Sequence, residues 1–171
     1  MNVFRAVSDG IMMAIAFNAL TAVVDIINPR LFFDSYPRSI QEAAPQPMTR
    51  HEKRFNSIMS VIIVGGLLLY GALSAWNAGV ESWGALLATG YINWFLVNLG
   101  DLVFLDIILF QKFPERVAIP GTEGHPDYEL RNWMRVLGER EHLLLVPFVL
   151  APLCALAQAG LVRLIIKLCM L

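Results

Sequence analysis

Two aspartates and one amide lie inside long apolar stretches of the chain, where polar side chains are costly. Asp25 is in the first stretch, and Asn98 and Asp101 are in the third. A charge at the centre of a membrane-spanning helix costs about 2.5–3.5 kcal/mol on insertion scales. Asp25 and Asp101 are therefore expected to be neutral or to share a proton, unless Arg30 at the interface pairs structurally with Asp25. A neutral or proton-sharing carboxyl is typical of a general acid, so the three residues are catalytic candidates.

The first apolar stretch carries its polar residues on one helical face. At about 100° per residue, Asn18, Thr21 and Asp25 fall within a sector of about 60°. Asn28 follows them near the end of the stretch and is a candidate binding residue. Intramembrane amides and hydroxyls also join helices by hydrogen bonds worth about 0.6 kcal/mol on average. We favour that structural role for Asn18 and Thr21.

The third stretch has a second polar face. Tyr91, Trp94, Asn98 and Asp101 follow one another at spacings of three, four and three, which places them on one side of a helix. Tyr91 and Trp94 are therefore predicted to form an aromatic wall that binds a ligand. Asp106 lies about 80° around the helix from Asn98, at the membrane boundary, and flanks this face. For Asp106, a surface ion pair with a nearby Lys or Arg and a binding role both remain open.

We expect the two polar faces to meet in a pocket that opens to the cytoplasmic leaflet. The segments 35–38 and 120–128 are the predicted lids. Glu123 and His125, in the second lid, are candidate binding residues, and Asp127 follows them. Their spacing matches no defined metal site, so a solvated loop is favoured and no metal is predicted.

Composition sets the class of protein that must position these residues. Of 171 residues, 57% are hydrophobic and 16% are charged, and the mean hydropathy is +0.58. A soluble domain of this size would have too little interior for so much apolar surface. The 13 basic and 14 acidic residues form no basic stripe, which excludes a nucleic-acid partner. The sequence predicts one integral membrane domain that contacts the lipid bilayer.

Four stretches are long enough to cross a hydrocarbon core about 30 Å thick. They cover approximately residues 10–33, 58–78, 83–110 and 143–164, so an all-α bundle of four transmembrane helices is predicted. Ten of the 13 Lys and Arg residues lie in the two long connections between these spans. The positive-inside rule therefore places both long loops in the cytoplasm and both termini outside.

Both long loops are predicted to be ordered. Thr49 and Glu52 have the spacing of a capping box that starts a helix leading into the second span. Leu130, Trp133 and Leu137 share one face of a segment that also carries arginines. This pattern predicts a short amphipathic helix over 127–142 that lies on the headgroups.

The run from Asn98 to Asp106, followed by the Pro-Gly-Thr-Glu-Gly segment 120–124, resembles a group of small multipass bacterial membrane proteins. Segments 35–42 and 52–54 are similar to the first cytoplasmic loop of that group. The resemblance covers most of the chain and implies a four-helix protein of the bacterial cytoplasmic membrane. It implies attention to Asn98, Asp101, Asp106 and segment 120–124, and it implies no activity.

Three functions fit these features. The first is an enzyme in which Asp25 and Asp101 act as acid and base on a lipophilic small molecule, by isomerisation or cyclisation. The second is a proton or cation transporter or channel subunit, which requires a homo-oligomer joined by Gly65, Gly66 and Gly71. The third is a noncatalytic subunit or assembly factor that docks through segment 127–142. The sequence contains no nucleotide, haem-attachment or metal-protease motif, and no cofactor is expected. We rank the enzyme first.

Overall fold

Four long helices dominate the computed structural model, which describes residues 2–169 and contains no β-strand among them. The long helices are α1 (Val3–Ile27), α3 (Arg50–Asn77), α4 (Trp83–Lys112) and α6 (Leu130–Cys169). The short helices are α2 (Arg38–Ala43) and α5 (Pro114–Val117). Each long helix is long and apolar enough to cross a membrane. The predicted all-α, four-span membrane protein is thereby confirmed.

Helix α4 is the central element, because it packs along both α1 and α6, while α3 packs mainly on α6 and less on α1. Small residues allow the close approaches. A Cβ added at Gly90 of α4 would lie 2.8 Å from the Cα of Ala155 of α6. A Cβ at Gly71 of α3 would meet the amide of Gln158 at 2.6 Å. Gln158 also accepts a hydrogen bond of 3.2 Å from the Trp94 indole N–H, so α3, α4 and α6 meet tightly at this level.

The two ends of the bundle differ. At one end, here called the turn end, a short turn after Asn77 leads from α3 to α4. At the opposite end, the loop end, lie the long connections between α1 and α3 and between α4 and α6. The predicted capping box is present there: Thr49 N–H donates to Glu52 Oε2 at 2.7 Å, and Glu52 N–H donates to Thr49 Oγ1 at 3.2 Å. The helix it starts runs uninterrupted into the second span, as predicted.

The long loops share a hydrophobic core at the loop end, so the prediction of ordered loops is correct. Tyr36 from the first loop donates a hydrogen bond of 2.6 Å to the Val117 carbonyl of the second. Gly121, at a φ of 88°, approaches Pro45 so closely that an added Cβ would lie 2.5 Å from its Cγ. The buried members of this core are Phe33, Tyr36, Ile40, Met48, Leu105, Leu109, Phe110, Val117, Ala118, Ile119, Tyr128 and Trp133.

The amphipathic segment predicted over 127–142 is not a separate helix on the headgroups. From Leu130 it is continuous with the fourth span as the first part of α6, whose 40 residues extend about 60 Å. Trp133 is 1% exposed and contacts Tyr36 and Phe110. The apolar face therefore packs against the protein's own loops.

The first span also differs from its predicted bounds. Helix α1 ends at Ile27, and Pro29–Ser35 forms a 3₁₀ helix. Asn28 causes the break, because its backbone is extended and its side chain accepts the Arg30 N–H at 3.1 Å. The proline that follows fits the first position of the new helical turn.

Candidate functional site

A polar cavity of about 210 Å³ lies among the four long helices in the half of the bundle nearer the loop end. Its ionisable lining residues include Asp25 from α1, Asp101 and Asp106 from α4, and Glu141 and His142 from α6. The structure therefore brings the two predicted catalytic aspartates to one cavity. The apolar and aromatic walls are Phe17, Phe32, Ile63, Val64, Leu105, Phe110 and Trp133, with Tyr36 at the loop end.

Helix α4 presents two aspartates to the cavity because its winding changes at Asp101. From Asp101 to Leu109 the helix is of the π type, and the Phe110 N–H donates to the Leu105 carbonyl five residues back. In an α-helix, Asp101 and Asp106 would lie about 140° apart. In a π-helix, residues five apart stack on nearly the same face. Asp106 therefore does not flank the polar face as predicted. Of the two roles left open for it, the surface ion pair does not fit its burial: Asp106 is 5% exposed and lines the cavity.

Asn98 fixes His142 without lining the cavity itself. Its amide Nδ2 donates to the His142 carbonyl at 3.0 Å, and its Oδ1 lies 2.8 Å from His142 Nδ1. The bond from Nδ2 fixes which atom of the Asn98 amide is the oxygen, and an amide oxygen can only accept. His142 Nδ1 must therefore carry the hydrogen of the bond to Asn98 Oδ1. The other ring nitrogen, Nε2, lies 3.0 Å from Asp106 Oδ2.

The distance between His142 Nε2 and Asp106 Oδ2 is that of an ion pair, although Oδ2 has no hydrogen-bond partner of suitable geometry in the part of the chain that the structure describes. One proton between these two atoms suits both groups: on Nε2 it gives an imidazolium facing a carboxylate, and on Asp106 it gives a neutral carboxylic acid facing the lone pair of Nε2. The pair can give up or take back one proton at a fixed position, which is the property required of a general acid or base.

Pro147 explains why the His142 carbonyl is free to accept from Asn98. Met134–Leu150 is π-type, a pattern in which each N–H donates five residues back. The donor for the His142 carbonyl would be residue 147, and proline has no N–H. Asn98 supplies the missing donor from α4.

Asp25 has a different environment. It is 3% exposed, and among the residues that the structure describes its Oδ1 has no hydrogen-bond partner. The structural pairing considered for it is not formed, because Arg30 instead binds Glu52, with Nε 2.7 Å from Oε1. Asp25 thus offers a buried carboxyl oxygen to whatever enters the cavity.

Tyr36 closes the loop end of the cavity. Its hydroxyl is held by the Val117 carbonyl, and its ring contacts those of Phe110 and Trp133. Burial, followed by the neighbouring Asp25 and Tyr128, raises the pKa of Tyr36 well above its ordinary value of 10.0. The phenol therefore remains a proton donor to Val117 throughout the physiological range.

The predicted aromatic wall does not line the cavity. Trp94 is buried nearer the turn end and binds Gln158. Tyr91 is 37% exposed and stacks on Phe95. Both predictions are wrong because the polar face of α4 runs past the cavity, which occupies only the half beyond Asn98.

The other predicted binding residues also lie elsewhere. Asn28 caps the 3₁₀ helix after α1. Glu123 and His125 line a separate cleft of about 460 Å³ on the loops. There Glu123 accepts the Gly121 N–H at 2.8 Å, and His125 Nδ1 accepts the Asp127 N–H at 3.1 Å. Within residues 2–169, no three His, Cys, Asp or Glu side chains are grouped as metal ligands.

His142 and Glu141 are the site residues that sequence reasoning missed. Hydropathy places the start of the fourth span at residue 143, and both residues then fall at the end of the predicted surface helix over 127–142. The signal that could have found them is the helical pattern from Leu130 to Leu137, which is followed by the apolar run with only Gly138 as a turn former between them.

Comparison of the chain with protein-family models, curated proteins and solved structures gives no match. Function is therefore inferred from the chemistry of the cavity.

Proposed function

We propose that this protein is a small membrane-embedded enzyme that performs acid–base chemistry on a lipophilic substrate, by isomerisation or cyclisation. One observation carries the proposal: an aromatic-walled cavity inside a membrane bundle is lined by Asp25, Asp101 and the close pair Asp106–His142. Ionisable groups at membrane depth are costly and are found where a ligand, ion or proton uses them. The cavity is concave and combines apolar and aromatic walls with a cluster of ionisable groups, a combination found in ligand sites.

The ionisable residues of the cavity have three roles in this reaction: proton donor, proton acceptor and stabiliser of the cation. In an isomerisation, the His142–Asp106 pair delivers a proton to one carbon of an alkene, and the cation forms on the other alkene carbon, where Asp25 supplies negative charge. Asp101 then removes a proton from the carbon on the far side of this cation. Exchange with solvent returns the proton of Asp101 to water and reprotonates the pair. The double bond moves and the composition of the substrate is unchanged. In a cyclisation, a second alkene attacks the cation formed by protonation before the proton is lost. Trp133 and Phe110 present ring faces suited to a transient cation.

We place the long loops in the cytoplasm, both termini outside, and the protein in a bacterial cytoplasmic membrane. Ten of the 13 Lys and Arg residues lie in the loops, at the end of α4 or in the first three turns of α3 and α6, as the positive-inside rule expects of cytoplasmic segments. The substrate then enters from the cytoplasmic leaflet, on whose side the cavity lies. Reporter enzymes fused to each terminus and to the 120–124 loop test this orientation.

The two other functions are less well supported. A proton or cation transporter or channel subunit needs a path across the whole bundle, yet the turn-end half is closed by the Gly71–Gln158 and Gly90–Ala155 approaches. A noncatalytic subunit or assembly factor is expected to dock through segment 127–142. Trp133, the largest apolar residue of that segment, is already buried within the chain.

Exchange of hydrogen with solvent tests the enzyme even while its substrate is unidentified. Membranes from cells that express the protein are incubated in D₂O, and the lipid extract is analysed by high-resolution mass spectrometry. A proton-transfer enzyme places solvent deuterium on carbon in a specific lipid. We expect Asp101→Asn to abolish this label, while Glu139→Gln, an exposed carboxyl on α6, retains it.

Thermal unfolding of the two purified variants is the control for folding, and we expect both to unfold cooperatively. Two results would overturn the proposal: no lipid acquires deuterium that depends on the protein, or Asp101→Asn incorporates as much as the wild type.

A further inference from the structure

The seam between α1 and α3 is fastened by polar contacts at its two ends. Near the turn end, the Asp9 carboxylate accepts hydrogen bonds from Ser74 Oγ at 2.6 Å and from the Tyr70 hydroxyl at 3.1 Å. Near the loop end, Arg30 from the segment after α1 binds Glu52 of α3 through two nitrogens, at 2.7 and 3.2 Å. The middle of the seam lacks comparable bonds in the part of the chain that the structure describes.

Between these fastenings the seam opens into an apolar groove of about 300 Å³ on the outer surface of the bundle. Its lining residues are Met12, Met13, Ala16, Leu20, Ile62, Ile63, Gly66, Leu67 and Tyr70. Met13, Ile63 and Leu67 are buried at its floor, whereas Met12 and Ile62 are exposed at its rims. From Ile62 to Tyr70 the groove follows α3 for about 12 Å. A Cβ added at Gly66 would meet no atom within 4 Å.

The groove and the polar cavity are adjacent compartments of the same seam. Ile63 lines both. Val64 of α3 and Thr21 of α1, next in sequence to the groove residues Ile63 and Leu20, line the cavity, as does Ser60, about one turn nearer the loop end. Ser60 is exposed and Thr21 is half-buried, so the cavity is reached from the face that carries the groove. A molecule with an apolar chain and a small polar head can occupy both compartments at once.

The charged groups that line the cavity determine which kind of polar head can bind there. Its lining contains four carboxyl groups, one histidine and no Lys or Arg. An anionic head would be repelled wherever one of these carboxyls is ionised, whereas an amine or another cation gains an ion pair. Asp25 Oδ1 is a free buried acceptor for such a head.

We propose that the α1–α3 seam binds a single-chain amphiphile with a cationic head, its hydrocarbon chain in the groove over Ile63 and Gly66 and its head among the cavity carboxyls. This inference rests on the proposed function and names the class of substrate for the same site. The double bond that reacts then lies in the first few carbons next to the head, because only this part of the chain reaches the acid and base in the cavity. Two observations support this proposal: Ile63 lines both the groove and the cavity, and the lining of the cavity is acidic.

A pair of adjacent glycines provides a matched test. Gly65 and Gly66 both have open space around an added Cβ, but only Gly66 lines the groove. Gly66→Phe fills the groove, and Gly65→Phe adds the same ring to the neighbouring surface. Octadecylamine and octadecyl phosphate, which share one chain, are the probes. Binding to the protein in phosphatidylcholine nanodiscs is measured by native mass spectrometry.

We expect the wild type to bind the amine at least about tenfold more tightly than the phosphate. Gly66→Phe should weaken amine binding by about tenfold or more, and Gly65→Phe by less than about twofold. Equal binding of amine and phosphate would overturn the assignment of the head. Unchanged amine binding by Gly66→Phe would overturn the assignment of the hydrocarbon chain to the groove. A protein dimer that only Gly66→Phe disrupts would also overturn it, because a second copy of the protein would then cover the groove.

The two proposals fail separately. If Gly66→Phe retains deuterium incorporation that Asp101→Asn loses, the enzyme stands and the groove assignment is rejected. If the amine binds as expected and no lipid acquires deuterium, the binding site stands and the enzyme is rejected.

Discussion

His142 Nε2 lies 3.0 Å from Asp106 Oδ2, and both side chains are almost fully buried, the histidine on α6 and the aspartate on α4. The histidine is further held by Asn98 at its Nδ1 and at its carbonyl. The contact therefore joins α4 and α6 inside the bundle and sets the position where one proton can be exchanged between the two groups. Removing one partner of such a pair leaves the other buried without compensation, which costs about 3–5 kcal/mol.

Asn98 should determine which ring nitrogen of His142 carries the hydrogen in the neutral state. In the wild type that nitrogen is Nδ1, and Asn98→Leu should produce a mixture of tautomers because the acceptor is lost. The measurement is ¹⁵N NMR of histidine-labelled protein in a His51→Gln, His125→Gln background, which leaves one histidine. Deuterium incorporation should fall by about a hundredfold, as for loss of an oriented acid–base group. An unchanged tautomer in Asn98→Leu would contradict this positioning role.

Gly121 should tolerate a side chain less well than Gly124, although both have a positive φ, of 88° and 81°. An L-residue in this region costs about 1–2 kcal/mol. Only at Gly121 would the added Cβ also collide with Pro45 of the other loop, at 2.5 Å. Gly121→Ala should therefore lower the free energy of unfolding by about 1 kcal/mol or more beyond Gly124→Ala. Denaturant unfolding in a mild detergent compares the two, and equal losses would show that the Pro45 contact is not retained in solution.

Stability should decline at alkaline pH because of Tyr36 and Tyr128. Burial is the first cause that raises the pKa of each phenol above 10.0 in the folded protein. A raised pKa means that the folded state binds the proton more tightly, so this stabilisation is complete below about pH 10 and is lost as the pH rises through the folded values. Thermal unfolding between pH 8 and about pH 11 measures the loss. Tyr36→Phe should flatten the decline; a slope as steep as that of the wild type would exclude Tyr36 as its source.

The sequence is sufficient for features that depend on local pattern. Hydropathy locates the four spans, the Thr49 and Glu52 spacing locates the start of α3, and the cost of intramembrane carboxyls directs attention to Asp25 and Asp101. All three inferences use one helix at a time, and each depends on regular α-helical geometry or on composition.

Features that depend on irregular winding or on distant contacts escape such reasoning. The wrong placement of Asp106 follows from assuming 100° per residue where α4 is π-helical. The omission of His142 follows from starting the fourth span too late, because packing of Trp133 against Tyr36 and Phe110 is not visible in local hydropathy. The assignment of Tyr91 and Trp94 to the site is wrong because helical periodicity predicts only which residues share a face. It does not predict how far along that face a cavity extends.

The π-type section of α4 links the sequence spacing of Asp101 and Asp106 to the winding of the helix. Removing one residue between the two aspartates, such as Val103, would let this section relax to ordinary α-helical winding. The aspartates would then be four residues apart, about 40° around the helix, and both would still face the cavity. A relative of this chain that carries them at positions i and i+4 of a regular α-helix would therefore build the same site, and a motif search that fixes their spacing at five would miss it.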